Sequence, residues 1–172
     1  MCLSAYARHI LLPAAALLLI ACTPEGQFYS AVQNGDVKTV GSLIAQGKIK
    51  DINKLADGSQ TALHLAAERN RLEVMKLLIA SGANVNQTNG TLETALHISA
   101  YYGYLEATRL LIAAGAELDP RHKINALTPL LEAARKNHSD VAKLLIPIWC
   151  RSHFKNGRRA RCYDIGTPKQ QS

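Results

Sequence analysis

The chain has 172 residues, of which 48% are hydrophobic, 5% aromatic and 19% charged, and 20 Lys and Arg outnumber 13 Asp and Glu for a formal charge of +7. This composition excludes a collagen, a simple disordered tail and a multi-span membrane protein, and the length suffices for one domain with a buried core. Excess positive charge prompts a search for nucleic acid or an anionic surface, so where the charge sits must be settled. Met1 to His9 contains Arg8 and no acidic residue, and Ile10 to Ala21 is apolar throughout. As a helix this stretch would span about 18 Å, short of a bilayer core of about 30 Å. A basic start, a short apolar run and small residues before a cut site predict a secretory signal over residues 1–21. Pro13 and the lack of a polar face count against the alternative, a buried N-terminal helix.

Leu19-Ile20-Ala21-Cys22 resembles the lipobox of bacterial lipoproteins. The resemblance implies that Cys22 is diacylated and begins the mature chain, with residues 22–27 as a linker. Thr23, in place of an aspartate, implies sorting to the outer membrane, facing the periplasm. Acyl chains at ~0.8 kcal/mol per buried methylene would make that anchorage essentially permanent. Of the 4 cysteines, Cys2 then leaves with the signal and Cys22 carries lipid. Cys150 and Cys162 remain, and in an exported chain they read as one disulfide. That bond would stabilise the tail by ~3 kcal/mol. A zinc site would need four ligands, and only His153 lies within the loop; the two-residue spacing of thiol oxidoreductases is also absent. The sequons at Asn86, Asn89 and Asn137 have no special role in a bacterial lipoprotein.

The rest of the chain repeats. Thr61-Ala62-Leu63-His64 returns as Thr94-Ala95-Leu96-His97 after 33 residues, and as Thr128-Pro129-Leu130-Leu131 after a further 34. Small pairs follow each copy: Ala66-Ala67, Ser99-Ala100 and Ala133-Ala134. Then come Leu77-Leu78-Ile79, Leu110-Leu111-Ile112 and Leu144-Leu145-Ile146, and Gly82-Ala83-Asn84-Val85-Asn86 is echoed by Gly115 to Asp119. This pattern resembles the ankyrin repeat from Phe28 to Ile148, with a degenerate first copy over Phe28 to Gly47. The resemblance implies an all-α solenoid of about four copies over residues 28–147.

The physics of the pattern stands beside that resemblance. Thr61, Thr94 and Thr128 are N-cap residues for a first helix. Val74, Leu77 and Leu78, like Val141, Leu144 and Leu145, form an apolar stripe on a second. Gly82 and Gly115 sit where a helix ends in a left-handed residue. A single pair of helices cannot bury its stripe, so each copy needs neighbours. Thr39 and Ser42 replace Val74 and Leu77 in the first copy, which gives it an outer face that tolerates water. The last copy keeps its apolar stripe and needs a cover. Trp149, Phe154, Tyr163 and Ile165, gathered by Cys150–Cys162, are predicted to form a disulfide-closed lid within a basic C-terminal segment, residues 148–172.

Nothing in the chain matches a phosphate loop, a dinucleotide fingerprint or a known catalytic motif, so no catalytic, cofactor or metal residue is assigned. His64 and His97 resemble the family's structural histidine, although a chemical role is the competing reading. The resemblance implies a protein-binding surface on the hairpin fingertips (Leu55 to Gln60, Thr88 to Glu93, Arg121 to Ala126) and on the exposed ends of the first helices. The residues singled out are Glu68, Arg69, Tyr101, Tyr102, Arg135 and Lys136, with Arg121, His122 and Lys123 from the last fingertip. Tyr101, Tyr102 and Tyr104 stand together in a chain poor in aromatics; tyrosine is enriched at binding hot spots, and packing on adjacent helices is the alternative. Arg151, Lys155, Arg158, Arg159, Arg161 and Lys169 against Asp164 place most of the excess charge in the tail. That tail could meet anionic lipid or an acidic protein, or be a solvated loop, and nucleic acid is not expected in the periplasm. The expected protein is a monomeric, lipid-anchored binder, with an immunity or inhibitor role against an envelope-directed effector as the sharpest reading. A structural or adaptor protein acting through its tail, or an enzyme with an unrecognised site, are the alternatives.

Overall fold

The computed structural model describes residues 23–56, 59–118 and 127–153, with side chains through Pro147. The expected signal, Cys22, Arg121, His122, Lys123, Cys162 and the rest of residues 154–172 lie outside the described residues. Within them the chain forms eight helices in four consecutive pairs. These are α1 (Pro24–Asn34) with α2 (Val37–Ala45), α3 (Ala62–Glu68) with α4 (Leu72–Ala80), α5 (Ala95–Tyr102) with α6 (Leu105–Ala113), and α7 (Pro129–Arg135) with α8 (Ser139–His153). Among the described residues there is no strand, only an isolated bridge between Ala56 and Gln60.

The last three pairs start at the expected caps, and the first starts at Thr23, so that α1 begins inside the expected linker 22–27. Thr23 Oγ1 accepts from the Gly26 amide at 3.0 Å, and Thr128 Oγ1 from the Leu131 amide at 3.3 Å, with Pro24 and Pro129 at the first helical position. Thr61 and Thr94 cap α3 and α5. The two helices of a pair are separated by a left-handed residue at the same register in all four copies: Gly35, Asn70, Gly103 and Asn137. Asparagine and glycine are the residues that tolerate this conformation. Gly82 and Gly115, after the second helices, also have positive φ, as their placement predicts.

The pairs stack in register. The first helices α1, α3, α5 and α7 contact one another in sequence, and the second helices α2, α4, α6 and α8 form the other layer. One cluster of buried residues runs from Phe28 and Val32 through Val74, Met75 and Leu78 to Leu96 and Leu111. A second, of Ala100, Ala133, Val141 and Leu145, joins the last two pairs. The buried side of α4 is Val74, Met75 and Leu78, with Leu77 half-buried, so the helix is rotated toward Met75 relative to the expected stripe. The reason is visible in the neighbours. Met75 must meet the small residues of the adjacent first helices, and an unbranched thioether fills such a gap readily.

At the corresponding positions of the third copy, Ser99 and Thr108 are fully buried in place of Ala66 and Met75. Thr108 Oγ1 donates within 3.1 Å of Ser99 Oγ and 2.9 Å of the Tyr104 carbonyl, and Ser99 Oγ donates to the Leu96 carbonyl. The pair therefore satisfies itself without water. The first copy has the polar outer face expected of an end. Ser42 is exposed, and Thr39 is half-buried with its hydroxyl 2.6 Å from Asp36 Oδ2. Thr39's side-chain and backbone hydrogen bonds hold the Asp36 carboxyl below its ordinary pKa. At the other end α8 continues through Pro147 to His153, so the backbone passes from the expected last repeat into the expected tail without a break.

His138 packs against the turn of the preceding copy, its Nε2 2.9 Å from the Tyr101 carbonyl oxygen. A Cβ placed on Gly103 would overlap the His138 ring, whereas one on Gly115 meets open space. Both glycines have positive φ. Gly115→Ala is therefore expected to lose about 1 kcal/mol to backbone strain alone, and Gly103→Ala a further ~1–3 kcal/mol from overpacking. Urea denaturation of the two variants side by side measures the difference.

Candidate functional site

The fingertips are tied together by the histidines. Thr61 N–H donates to His64 Nδ1 at 3.3 Å and the Thr61 hydroxyl lies 2.7 Å from the same nitrogen, so Nδ1 is an acceptor and the proton resides on Nε2. Nε2 then donates to the Glu93 carbonyl of the next copy at 3.0 Å. His97 repeats the arrangement, with Thr94 N–H at 3.2 Å on Nδ1 and the Leu127 carbonyl at 3.2 Å from Nε2. Both rings are buried and fully engaged in joining turns, as the resemblance implies. Where the fourth copy should place a third histidine it has Leu131, half exposed at 49%.

Two further ladders fix the loops. Asn53 Oδ1 accepts from the Asn84 amide at 2.7 Å, and Asn86 Oδ1 accepts from the Glu117 amide at 2.8 Å, so the same register position bridges successive copies. The second fingertip is folded around Asn89, whose Oδ1 accepts from the amides of Thr91 and Glu93. Gly90 N–H donates to the Ser59 carbonyl of the preceding fingertip at 2.8 Å. Asn89 is buried and its Nδ2 donates to Glu93 Oε2 at 3.1 Å, so this sequon asparagine is occupied internally.

Between these fingertips and the ends of α3 and α5 lies a cleft of about 350 Å³ lined by Gln60, Glu68, Glu93, Ile98, Tyr101 and Tyr102. Gln60 Oε1 is shielded from solvent there and accepts no hydrogen bond. The tyrosines form a continuous aromatic patch. Tyr101 and Tyr102 meet edge to face at 5.0 Å between centroids, and Tyr102 stacks on Tyr104 at 5.6 Å. Tyr102 is 43% exposed, while Tyr101 and Tyr104 are half-buried. Partial burial, then the Glu68 carboxylate and the adjacent phenols, push the Tyr102 hydroxyl above its ordinary pKa.

The structure thus brings Glu68, Tyr101 and Tyr102 together as lining of one cleft. Lys136 lies at the rim, its ammonium 4.2 Å from the Tyr101 ring centroid. Arg135 is held by Glu132, with Nη2 3.0 Å and Nε 3.3 Å from Oε2. Arg69 is exposed beside Tyr102 without lining the cleft. Gln60 and Glu93 fell within the expected fingertips, but Ile98 was not singled out. Its signal is register: Ile98 follows His97 as Leu65 follows His64, an apolar residue at the same place on a first helix.

The architecture and the stapled fingertips define an ankyrin-repeat protein. Profiles of ankyrin repeats match residues 28–122 in a three-copy form and residues 100–146 in a many-copy form. The chain belongs to the ankyrin-repeat family, whose fold generally serves as a non-enzymatic protein-interaction module. It is similar to the palmitoyltransferase AKR1 of Naumovozyma castellii, 43% identical over 67 residues, which is 39% of this chain and 9% of that protein. It is also similar to myotrophin of Xenopus tropicalis, 33% identical over 60 residues, 35% of this chain and 49% of that protein. The chain therefore spans about a tenth of the length of the palmitoyltransferase and half of myotrophin. No group of three or more His, Cys, Asp or Glu among the described residues is placed to hold a metal ion, and no described helix is long and apolar enough to cross a membrane.

Burial depresses the pKa of His64 below 6.5, against the smaller opposing effect of its carbonyl partners. The sign of the pH dependence follows. Above the unfolded pKa of about 6.5 both states hold the ring neutral, and its contribution to stability is complete. As pH falls below that value the unfolded chain takes a proton that the folded ring refuses, because burial disfavours the charged form. Stability is then lost until the lower folded pKa is passed, at a slope of at most about 1.4 kcal/mol per pH unit. The difference in unfolding free energy between wild type and His64→Gln, measured at pH 8 and pH 5, is expected to shrink at the lower pH.

Proposed function

We propose that the protein is a monomeric, lipid-anchored envelope protein that binds a protein partner in the groove formed by the first helices and fingertips. The observation that carries this reading is the cleft at Glu68, Tyr101 and Tyr102, where the scaffold presents an aromatic patch with Tyr102 exposed to solvent. Tyrosines at the centre of a preformed concave surface offer large contact area at low entropic cost. Cys22 is the proposed site of the lipid, on the strength of the Leu19-Ile20-Ala21-Cys22 motif, and the outer membrane facing the periplasm is the proposed location. Cys150 and Cys162 are proposed to close a disulfide that holds the basic tail over the fourth repeat, where Leu131 is exposed. In that compartment a dedicated binder fits an immunity or inhibitor role against an envelope-directed effector. The concentration of Lys and Arg after residue 150 favours a second reading, an adaptor that meets an acidic protein or anionic lipid through its tail.

Affinity capture from membranes of the native host, with Cys22 replaced and the remaining cysteines oxidised, tests these readings. One stoichiometric partner is expected, and Tyr101→Ala with Tyr102→Ala should weaken its retention by roughly 2 kcal/mol or more, as for interface hot spots. Recovery of porins or cell-wall scaffold proteins alone would count against the immunity role. Loss of retention on deleting residues 148–172, with the tyrosine variant unaffected, would transfer the function to the tail.

A further inference from the structure

The chain is strongly basic, yet its concave cleft presents acceptors. No Lys, Arg or His is among the described residues that line it. The lining contributes the Glu68 carboxylate together with the Glu93 and Gln60 side chains. Glu93 Oε2 is already engaged by Thr91 Oγ1 at 2.7 Å and Asn89 Nδ2 at 3.1 Å, which holds that carboxylate in position at the fingertip. The remaining walls are aromatic and aliphatic: Tyr101, Tyr102 and Ile98.

Acceptors at one end and aromatic faces along the side suit one chemical class. We infer that this cleft receives an arginine side chain of the protein partner, with the guanidinium donating to the Glu68 carboxylate and stacking on Tyr102. A guanidinium has five donors in a plane, is weakly hydrated, and pairs with carboxylates and ring faces together. A volume of about 350 Å³ is at the small end of ligand-sized pockets, room for one long side chain and not for a folded segment. The chain makes a related contact internally, since the Lys136 ammonium rests 4.2 Å from the Tyr101 centroid. This inference rests on the concave groove being the binding face and specifies which partner residue enters it.

The test uses a defined probe. Nα-acetyl-arginine amide is titrated into the full chain in detergent and followed by NMR at the Ile98 methyl and the Tyr101 and Tyr102 rings. Nα-acetyl-citrulline amide serves as the neutral isostere. Saturable shifts are expected with arginine and at least about tenfold weaker binding with citrulline, the difference a charge-assisted contact makes. Glu68→Gln should weaken the arginine probe, with the remaining amide spectrum showing an unchanged fold. Equal affinity for the two probes, an undiminished response in Glu68→Gln, or no saturable shift would overturn the inference. A captured partner that depends on Tyr101 and Tyr102 but not on Glu68 would leave the groove reading intact and refute the arginine alone. Loss of tyrosine dependence would remove the groove reading itself.

Discussion

A helix pair of this size cannot bury its own apolar stripe, and every other feature of the molecule is a consequence of how neighbouring pairs are made to do it together. The strongest constraint is the hydrogen bond that leaves one copy and ends in the next. His64 Nε2 on the Glu93 carbonyl and His97 Nε2 on the Leu127 carbonyl set the spacing at the fingertips. At the opposite end of the first helices Arg71 Nε reaches the Gln33 carbonyl, and His138 Nε2 the Tyr101 carbonyl. The first interface is thus pinned at the turn end, the second at the fingertips and the third at both, and the alanines between are small enough for the helices to close.

That division of labour leaves room for variation where pinning is complete. The third copy exchanges the Ala66–Met75 contact for the hydrogen-bonded pair Ser99 and Thr108 and keeps its burial, because each hydroxyl finds a carbonyl or the other hydroxyl. Removing one partner of such a pair costs more than the bond contributes, since the other is left buried and unsatisfied. The fourth copy drops the histidine for Leu131, and no described turn follows for a histidine to reach.

The cleft arises from the same constraint. Fingertip loops that would otherwise be mobile are folded around Asn89 and linked through Gly90 to Ser59, so Gln60 and Glu93 are held opposite the ends of α3 and α5. The helix ends carry no pinning duty in their outward side chains, and this is where Glu68, Tyr101 and Tyr102 diverge from one another. Constancy on one side of each helix and divergence on the other is how a repeat scaffold acquires a particular surface.

Much of the fold was legible in the residues alone. The threonine caps, the left-handed turn residues, the apolar stripes and the structural histidines recur at a fixed spacing, and each reflects a local rule of backbone geometry or hydrogen bonding that needs no knowledge of the whole. The candidate contact residues at the ends of the first helices were legible too, as positions. What they do to one another was not. The rotation of α4 that buries Met75, the engagement of Arg135 by Glu132 and the enclosure of Gln60 Oε1 beside Glu68 and Tyr102 depend on distances between side chains from different copies. Periodicity in a sequence fixes which residues face a neighbour; only packing decides which of them pair, which are spent, and which remain to meet something else.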